Sequence, residues 1–515
     1  VDRVRSEDIV DSGELLIDID LPESHLAQYF NSLPEFTRKI NETSNGPYKE
    51  FLSSEKYDRE VCWGYEYSCK KPLHSHTCPG NHTGYVESKQ AQLDVFHAQA
   101  DFGYVKQQLR EMTVYCEPLF VTDSSLECSK YARFCRGRNL MFNFTDLIHR
   151  REPIRYAIDV LKQGEVAGYC KFNQEKLKEE LEHVSALQSW APELRFFEAT
   201  PKRPIETGMC DVVIDKPTFI MKIDSTGNMY HHFCDFFNLY ASQHVNFTHP
   251  GSFSTDVNIL IWETYPYVSP FSQTFEAFTE NPIWDLNTFR GQVVCFKNVV
   301  LPLLPRMIFG LYYNTPIIYG CENSALFNAF SEHILHRLQI KSEEVKSSKL
   351  RVTFLSRGTK YRKILNEEKI LKRILEDKNY SVRKVNYGRH MSFKDQLKVT
   401  RNTDIFIGIH GAGLTHLMFL PKWATLFELY NCEDPNCYKD LARLRGVNYV
   451  TWEDDSLIDT IETDYNDENH MKFKDFNFDV DEFERLVKKA ADNVRSHEEY
   501  QKFIKSPEKQ SHKEL

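Results

Sequence analysis

One glycine-rich segment carries the clearest chemical signal in this sequence. It follows a short apolar run, precedes a helical pattern and consists of Gly408, Ile409, His410, Gly411, Ala412, Gly413, Leu414, Thr415 and His416. Glycines at such a turn let the backbone approach an anion closely, and the N–H groups at the start of a helix attract negative charge. The alternative is a turn that only packs strand against helix. The strand–turn–helix context and the two histidines favour a phosphate site.

Charged residues at the ends of neighbouring predicted strands suit the rest of a nucleotide. Glu428 ends the next strand, where a carboxylate can accept hydrogen bonds from both ribose hydroxyls. Arg357 ends the first strand of the series, where a guanidinium can neutralise a departing diphosphate without a metal. Arg362 and Lys363 begin the next helix and either share that role or only face solvent. The glycine spacing is not that of a dinucleotide fold, so an oxidoreductase is the weaker alternative.

A second polar set lies earlier, at the start of an aromatic helical pattern. Asn228, His231 and Asp235 are spaced so that a helix presents them on one face. A carboxylate one turn from an imidazole can raise its basicity, or can itself take a proton from an acceptor hydroxyl. The alternative is that Asn228 caps the helix and the other two form a routine pair. We interpret the set as catalytic, with Asp235 or His231 as the base; the sequence does not choose between them.

The acidic residues and cysteines do not predict a metal site. In the two predicted catalytic domains, no acid-x-acid pair follows a strand; the acids at 18–20 lie in the N-terminal part and those at 454–455 in a charged loop. Cys432 and Cys437 have loose ligand spacing, but a disulfide is the preferred interpretation. We therefore predict that no cofactor is required, and a divalent metal is an option that the sequence does not support.

The elements that position these residues predict an α/β protein. Short β-branched runs separated by helical patterns predict a first α/β domain at 206–345, and a cleaner series predicts a second at 346–475. The predicted strands of the second domain are 350–355, 382–385, 404–409 and 425–429. Residues 1–205 show no regular strand spacing and are predicted to form an irregular, cysteine-rich, disulfide-stapled region. The last part, 476–515, contains an amphipathic helix over about 480–503 and a charged tail.

The composition points to the secretory pathway. The chain has thirteen cysteines, more than a cytosolic enzyme usually carries, and Cys234 is the candidate for a buried thiol because their number is odd. N-glycosylation sequons stand at Asn41, Asn81, Asn143, Asn246 and Asn379. The chain ends in His512, Lys513, Glu514 and Leu515. This tetrapeptide resembles lumenal retrieval signals, although its lysine departs from them. We predict the endoplasmic reticulum lumen as the location and a retrieval receptor as a partner.

Two other classes of partner are disfavoured. The formal net charge of −10 argues against nonspecific binding to nucleic acid, which needs a basic surface. An apolar run of about 20 residues, the length that spans a bilayer, does not occur in the sequence. We therefore predict neither a nucleic-acid partner nor a membrane span.

Taken together, these motifs resemble glycosyltransferase family 61, in particular its lumenal protein O-N-acetylglucosamine transferases. The resemblance rests on the 408–416 segment, the Asn-x-x-His-x-x-x-Asp set, the residues at 431–433 and the C-terminal tail, and it runs from about residue 62 to the end. It implies a GT-B fold, in which two Rossmann-like domains face a cleft, and UDP-N-acetylglucosamine (UDP-GlcNAc) as the donor. It also implies Ser or Thr of folded EGF-like domains as the acceptor, as on Notch-type receptors and matrix proteins, with inversion at the anomeric carbon.

The resemblance implies site roles as well. Arg357 and the 408–416 segment would hold the diphosphate, and Asn228, His231 and Asp235 would face the acceptor. Where relatives carry an acid-x-acid triplet, this chain has Glu-Asn-Pro at 280–282, which puts a metal role for that triplet in doubt. Two alternatives stay open: a related transferase with another donor, such as UDP-xylose, or another acceptor, and a non-catalytic, transferase-like binding protein.

Overall fold

The computed structural model describes residues 19–43, 46–73, 76–79, 81, 86–150, 152–181, 185–306, 320–343, 349–388, 390–429, 436–461 and 473–505. Two compact units divide the chain. The first unit is formed by Val1–His74 and Val95–Asn314, and the second by Ser75–Asp94 and Thr315–Leu515.

Helices and strands alternate along most of the described chain. The α-helices are α1 (Glu23–Ser32), α2 (Pro34–Thr43), α3 (Pro47–Ser53), α4 (Lys89–Ala100), α5 (Gly103–Arg110), α6 (Gln174–Glu180), α7 (Ala191–Leu194), α8 (Met229–Val245), α9 (Ala325–Arg337), α10 (Glu367–Leu375), α11 (Phe393–Arg401), α12 (Cys437–Arg445), α13 (Val480–Ser496) and α14 (Glu498–Ile504). The strands are β1 (Val61–Cys62), β2 (Lys71–Pro72), β3 (Thr113–Glu117), β4 (Ser125–Cys128), β5 (Cys135–Asn143), β6 (Val166–Gly168), β7 (Lys171–Phe172), β8 (Phe197–Ala199), β9 (Val212–Ile214), β10 (Thr218–Met221), β11 (Asn258–Ile261), β12 (Trp284–Asp285), β13 (Val293–Leu301), β14 (Leu350–Leu355), β15 (Tyr380–Val385), β16 (Ile405–Ile409), β17 (Thr425–Leu429), β18 (Asn448–Thr451), β19 (Ile458–Ile461) and β20 (Asp475–Phe478).

The first unit is built on one large mixed sheet. Its parallel part has the order β12-β11-β10-β13, in which β10 pairs with both β11 and β13. Strands β11 and β12 are added to one side of β10 in chain order, whereas the next strand, β13, lies on its other side. The direction in which strands are added therefore reverses between β10 and β13. Helix α8 connects β10 to β11 and is buried over nearly its whole length. Its aromatic residues on all sides suit a helix enclosed by the unit rather than one on its surface.

The prediction of an irregular region before residue 206 is wrong for residues 113–199. Strands β3 to β8 lie there, and β5 pairs antiparallel with β13 along most of its length, so these strands extend the same sheet. The first half of β5 is mostly polar and contains a glycine, and its second half is a run of three apolar residues, so the regular alternation that marks a strand is absent. Pairing with the mostly apolar β13 stabilises it as a strand. The sheet is therefore continuous across the predicted boundary.

Five disulfides cross-link the described residues. They join Cys62 to Cys69, Cys78 to Cys321, Cys116 to Cys170, Cys128 to Cys135 and Cys210 to Cys295. Cys234 takes part in none of these bonds. It is buried in α8, where its Sγ lies 3.4 Å from the carbonyl oxygen of Tyr230, which confirms the prediction of a buried thiol. Cys432 lies outside the described residues, so its predicted disulfide with Cys437 stays a prediction.

The second unit contains a five-stranded parallel sheet of order β15-β14-β16-β17-β18. The strands predicted at Leu350–Leu355 and Thr425–Leu429 have those bounds, and the other two differ by one or two residues. Helices α10 and α13 cover one face with a continuous apolar core. Here too the strand order reverses once, between β14 and β16.

Two predicted boundaries differ from the structure. Helix α9 lies in the second unit, where it packs against α12 and the segment after β16, although the sequence placed it with the first α/β domain. The helix predicted over about 480–503 is two helices, because His497 has extended dihedral angles and its side chain caps α14 by accepting from the Glu499 N–H. Among the described helices, none has both the length and the apolarity needed to cross a bilayer.

Candidate active sites

The reversal of strand order in the first sheet puts the ends of β10 and β13 side by side. Ligands of open α/β sheets bind beyond the carboxyl ends of the strands at such a point. Asp224 follows β10, Arg306 follows β13, and their side chains meet there. Nη2 of Arg306 lies 2.7 Å from Oδ1 of Asp224, and its Nε lies 3.0 Å from Oδ2. This two-point ion pair fixes the plane of the carboxylate.

His231, in the first turn of α8, completes this group. Its Nδ1 lies 2.8 Å from Oδ2 of Asp224; the Asp224 side chain has no exposed surface, whereas 31% of the His231 side chain is exposed. Burial raises the pKa of Asp224, but hydrogen bonds and charge from His231 and Arg306 outweigh it and hold that pKa below its usual value. An ionised Asp224 accepts the Nδ1 proton, so we assign the lone pair to Nε2. A buried carboxylate behind an accessible imidazole is the arrangement of a general base.

The other two residues of the predicted catalytic set are bound within the protein. Asn228 caps α8, and its side chain accepts from the Tyr230 N–H at 3.0 Å. Asp235 forms its hydrogen bond with His232 rather than with His231. The predicted pairing of Asp235 with His231 is therefore wrong, because the side chain of Asp224 reaches His231 from the loop before the helix.

Asp235 belongs to a buried chain of hydrogen bonds. Its Oδ2 lies 2.8 Å from Nδ1 of His232, whose Nε2 lies 2.7 Å from the hydroxyl of Tyr267. Burial raises the pKa of Asp235 well above its usual value and lowers the pKa of His232 to about 3, so burial favours the neutral form of both. Asp235 Oδ1 also accepts from the backbone N–H of Asp224 at 3.3 Å. Asp235 thus holds the loop that carries Asp224.

A buried ion pair ties the two strand ends together. Lys222 directly follows β10, and its Nζ lies 2.8 Å from the carboxylate of Glu193 and 4.8 Å from the centre of the Trp190 ring. Nε1 of Trp190 donates to the carbonyl oxygen of Pro302, just beyond β13, at 2.8 Å. These contacts fix the ends of both strands that carry Asp224 and Arg306.

The second unit has the same construction between β14 and β16. Arg357 follows β14, and the 408–416 segment follows β16. A Cβ atom at Gly411 would lie 2.3 Å from Nη1 of Arg357, so a larger residue there would require the guanidinium to move from this position. The sequence predicted this association of Arg357 with the glycine-rich turn, and the structure brings the two together.

Two arginines converge on one atom of this turn. Nη1 of Arg357 and Nη1 of Arg362 donate to the carbonyl oxygen of His410 at 3.1 and 2.9 Å. Burial, assisted by the charge of Arg362, lowers the pKa of Arg357 to about 10. Arg362 has a φ of 59°, a left-handed conformation that costs about 1–2 kcal/mol for a residue with a Cβ. A bound polyanion would relieve the repulsion between these two cations.

Lys363 takes a different position from its two neighbours in the predicted set. Its side chain is exposed, and its backbone N–H donates to the carboxylate of Asp475 at 2.7 Å. Lys363 therefore faces solvent, which was the alternative to a diphosphate-binding role in the sequence analysis.

The glycine-rich segment opens a 3₁₀ helix, Ala412–Phe419, rather than an α-helix. Ala412 and Gly413 are partly exposed, and their N–H groups lie in the first turn, where a helix provides no acceptor of its own. Leu414 and His416 are buried, and His416 contacts the carbonyl oxygen of Gly413 and the side chain of Gln396 at 2.8 and 3.0 Å. Burial lowers the pKa of His416 to about 4.

These positions divide the predicted donor residues into two groups. Ala412 and Gly413 lie where an anion could be bound. Leu414 and His416 are part of the core. Gly408 is also internal, because a Cβ there would lie 2.9 Å from Leu414 Cδ2. The predicted donor contacts of these three internal residues have no support from the geometry.

Glu428 is bound to two protein groups. Its Oε1 lies 2.6 Å from Nδ1 of His410, and its Oε2 accepts from the hydroxyl of Tyr449 at 2.6 Å. The carboxylate is buried, whereas His410 keeps 13% of its side chain exposed. Glu428 thus fixes the orientation of the His410 ring, and its predicted bond to ribose stays a prediction.

The acid-containing triplet at 280–282 lies at the end of the first sheet opposite Asp224. Asn281 Nδ2 donates at 2.9 Å to the carbonyl oxygen of Val257, the residue before β11, whereas Asp224 lies beyond the carboxyl ends of the strands. Asp454 caps a short 3₁₀ helix by accepting from the Ser456 N–H. The position of the triplet gives no support to a metal role at the Asp224 site.

The predicted processing signals are only partly described. Asn41, Asn81 and Asn379 are exposed, and Asn143 and Asn246 are partly exposed. The four residues of the predicted retrieval signal, at 512–515, lie outside the described residues. Both features stay predictions.

Sequence reasoning missed Asp224 and Arg306. Asp224 stands three residues after an apolar run, Thr218–Met221, whose carboxyl end the sequence could have marked. Arg306 follows a proline-containing apolar stretch that gives no such signal.

Comparisons with known proteins show the family of this chain. Residues 229–427 match the family model described as Glycosyltransferase 61, a span that includes His231, Arg357 and the 408–416 segment. The chain is 55% identical over 501 residues to the EGF domain-specific O-linked N-acetylglucosamine transferase of Drosophila melanogaster, covering 96% of this chain and 94% of that protein. The transferase of the same name from Rattus norvegicus is 44% identical, covering 100% and 95%. That of Pan troglodytes is 45% identical, covering 96% and 93%. The chain therefore belongs to glycosyltransferase family 61 and is an O-linked N-acetylglucosamine transferase, similar along nearly its whole length to members named EGF domain-specific.

Proposed function

We propose that this enzyme transfers N-acetylglucosamine from UDP-GlcNAc to a Ser or Thr hydroxyl of a folded EGF-like domain, with inversion at the anomeric carbon. The observation that carries the proposal is the pair of polar sites, each at a reversal of strand order. One holds an accessible imidazole against a buried carboxylate, which suits deprotonation of a hydroxyl. The other gathers two arginines around a glycine turn, which suits a leaving diphosphate.

His231 is the base in this mechanism. Its Nε2 takes the proton of the acceptor hydroxyl as the oxygen attacks the anomeric carbon on the face opposite UDP. Asp224 stays ionised, keeps the Nδ1 proton in place and stabilises the imidazolium that forms. The Arg306 ion pair holds Asp224 in the required orientation. Asp235 supports this group by accepting from the Asp224 N–H, and it does not exchange a proton with the acceptor.

Arg357 and Arg362 act on the donor side. As the bond between the anomeric carbon and the phosphate oxygen breaks, its electron pair passes to UDP and the negative charge on the diphosphate grows. Two guanidinium groups and the N–H groups of Ala412 and Gly413 can stabilise that charge. Glu428 fixes the orientation of the His410 ring within the same turn. This set of cations makes a metal dispensable in the proposed reaction.

The wider context of the proposal follows from the sequence and the relatives. Two parallel sheets, each with a polar site at the carboxyl ends of its strands, support a GT-B fold. The disulfides and sequons support an endoplasmic reticulum location, with return by a retrieval receptor through residues 512–515. The names of the relatives support EGF-repeat proteins as acceptors. Notch-type receptors and matrix proteins are the examples that the family resemblance of the sequence implies.

Mass spectrometry of a purified, folded EGF-like domain tests the proposal directly. The domain is incubated with the enzyme and UDP-GlcNAc, with EDTA in one series and Mn²⁺ in another. We expect a gain of one N-acetylhexosamine on a Ser or Thr in both series. Transfer only from another nucleotide sugar, such as UDP-xylose, would overturn the donor assignment. UDP binding without any transfer would favour a binding protein.

The variant His231→Ala tests the assignment of the base. We expect kcat to fall by about 10²–10⁴-fold, the usual contribution of a general base, while the Kd for UDP stays within twofold of the unsubstituted enzyme because the donor residues are untouched. Isothermal titration calorimetry gives the Kd. A kcat near that of the unsubstituted enzyme would show that another group accepts the proton.

A further inference from the structure

One carboxylate binds the backbone of the segment 152–156 beside the Asp224 site. Glu263 directly follows Trp262 at the carboxyl end of β11, and it accepts from the backbone N–H groups of Ile154 at 3.0 Å, Arg155 at 3.3 Å and its own neighbour Thr264 at 2.8 Å. Ile154 is fully buried and anchors the segment. A carboxylate that accepts three backbone N–H groups fixes the local conformation strongly. The segment therefore has a fixed conformation beside the site.

Two side chains of this segment reach Asp224. Nη1 of Arg155 donates to the Asp224 carbonyl oxygen at 3.0 Å. The hydroxyl of Tyr156 donates toward the same carbonyl at 3.2 Å and toward Oδ1 of the Asp224 carboxylate at 3.3 Å. Arg306 contacts both oxygens of this carboxylate, and His231 contacts Oδ2. Tyr156 thus holds the carboxylate on the side opposite His231.

The ring of Tyr156 stays exposed to solvent although its hydroxyl is hydrogen-bonded. The residue is 54% exposed although its hydroxyl is engaged with a fully buried carboxylate. Arg155 lies 5.3 Å from the ring centre and restricts its motion. A fixed, exposed aromatic ring one hydrogen bond away from the catalytic pair suits contact with a bound acceptor, because tyrosines give much contact area at a small cost in side-chain entropy.

We propose that Tyr156 couples acceptor binding to the His231–Asp224 pair. Its hydroxyl is a positioning group for Asp224, and its exposed ring contacts the EGF-like domain that carries the acceptor hydroxyl. The inference rests on the proposed function, since it takes the acceptor and the base from there. It adds a residue that determines acceptor affinity and that lies outside the span shared with the family model.

Two substitutions at this position separate the two roles. Tyr156→Phe removes the hydroxyl and keeps the ring, so we expect kcat to fall about tenfold, the effect of losing one hydrogen bond to a charged group, with the acceptor KM within twofold. Tyr156→Ala removes both, so we expect the acceptor KM to rise about tenfold in addition, as for the loss of an aromatic contact residue. Steady-state transfer to a folded EGF-like domain gives both constants.

Tyr67→Ala is the matched control. Tyr67 is 97% exposed and follows Trp63, which packs 4.7 Å from His244 near the far end of α8, so its loss leaves the site intact and both constants unchanged. Equal kcat for Tyr156→Phe and the unsubstituted enzyme would overturn the positioning role. An unchanged acceptor KM for Tyr156→Ala would overturn the acceptor contact. Absence of transfer by the unsubstituted enzyme would instead refute the proposed function.

Thermal unfolding of the three variants completes the test. Tyr156 is half exposed, so we expect Tm values close to that of the unsubstituted enzyme. If Tyr156→Ala lowered kcat and raised KM only together with a collapse of Tm, the residue would be a support of the fold, and the inference would be overturned. A lower kcat with an unchanged acceptor KM in the Phe variant is a result that a merely structural role would not produce.

Discussion

Nδ1 of His231 lies 2.8 Å from Oδ2 of Asp224, and the two residues come from the helix and the loop that follow the same strand, β10. The carboxylate is buried and ionised, and the imidazole is accessible. This contact assigns the proton of the imidazole to Nδ1 and leaves Nε2 for the acceptor. The first two predictions below depend on it.

Asp224→Asn is expected to lower kcat by about 10³-fold, because an amide can donate to Nδ1 of His231 and then favours the tautomer with its proton on Nε2. The neutral amide would also leave Arg306 without its counter-charge. Transfer to an EGF-like domain measures kcat, and calorimetry with UDP serves as the control for donor binding. Retention of more than a tenth of the activity would contradict the role given to Asp224.

Asp235→Asn is expected to retain activity within about fivefold, the effect of perturbing one neutral hydrogen bond. Burial favours the protonated form of Asp235, and an amide can replace it by donating to Nδ1 of His232 and accepting from the Asp224 N–H. The same transfer assay compares this variant with Asp224→Asn. If the Asp235 variant were inactive and the Asp224 variant active, Asp235 would be the base.

Gly411→Ala is expected to weaken UDP binding by at least about tenfold, which is roughly the loss of one charge-assisted hydrogen bond. The added Cβ would lie 2.3 Å from Nη1 of Arg357 and would displace the guanidinium. Gly46→Ala is the control, since a Cβ there meets no atom within 4 Å. Titration calorimetry with UDP distinguishes the two variants, and equal affinities would remove Arg357 from the donor site.

The buried pair of Lys222 and Glu193 gives a prediction about stability. Lys222→Met alone or Glu193→Leu alone should lower the free energy of unfolding by about 3–5 kcal/mol, because each leaves one buried charge without its partner. The double variant should be less destabilised than either single one. Urea denaturation monitored by fluorescence measures all three. Additive losses in the double variant would show that the two side chains do not depend on each other.

His416 predicts a dependence of stability on pH. Burial lowers its pKa to about 4 in the folded protein, so the unfolded chain binds more protons below about pH 6.5 and the free energy of unfolding falls as the pH decreases toward 4. Between pH 7 and pH 5 this one group accounts for about 2 kcal/mol. His416→Asn, which can still donate to the Gly413 carbonyl, should lose less stability over that interval. An identical loss in both proteins would refute the prediction.

The sequence by itself predicted much of the second unit. Strands such as Leu350–Leu355 are covered on both faces and therefore appear in the sequence as apolar runs. The glycines at 411 and 413 mark a turn, because neighbouring side chains leave no space for a Cβ at these positions. The pairing of Arg357 with that turn also followed, because carboxyl ends of parallel strands meet at one edge. Asn228 and His231 were recognised from helix periodicity alone.

Only the tertiary structure decided which of these side chains touch. The partner of His231 is Asp224, because the loop after β10 folds back over the start of α8, and helix spacing carries no information about a loop. Leu414 and His416 are internal because other helices cover them, and a sequence motif contains no information about those helices. The strands β3 to β8 form because β13 offers an apolar edge far along the chain. Local patterns specify elements, whereas contacts between distant residues depend on how those elements pack.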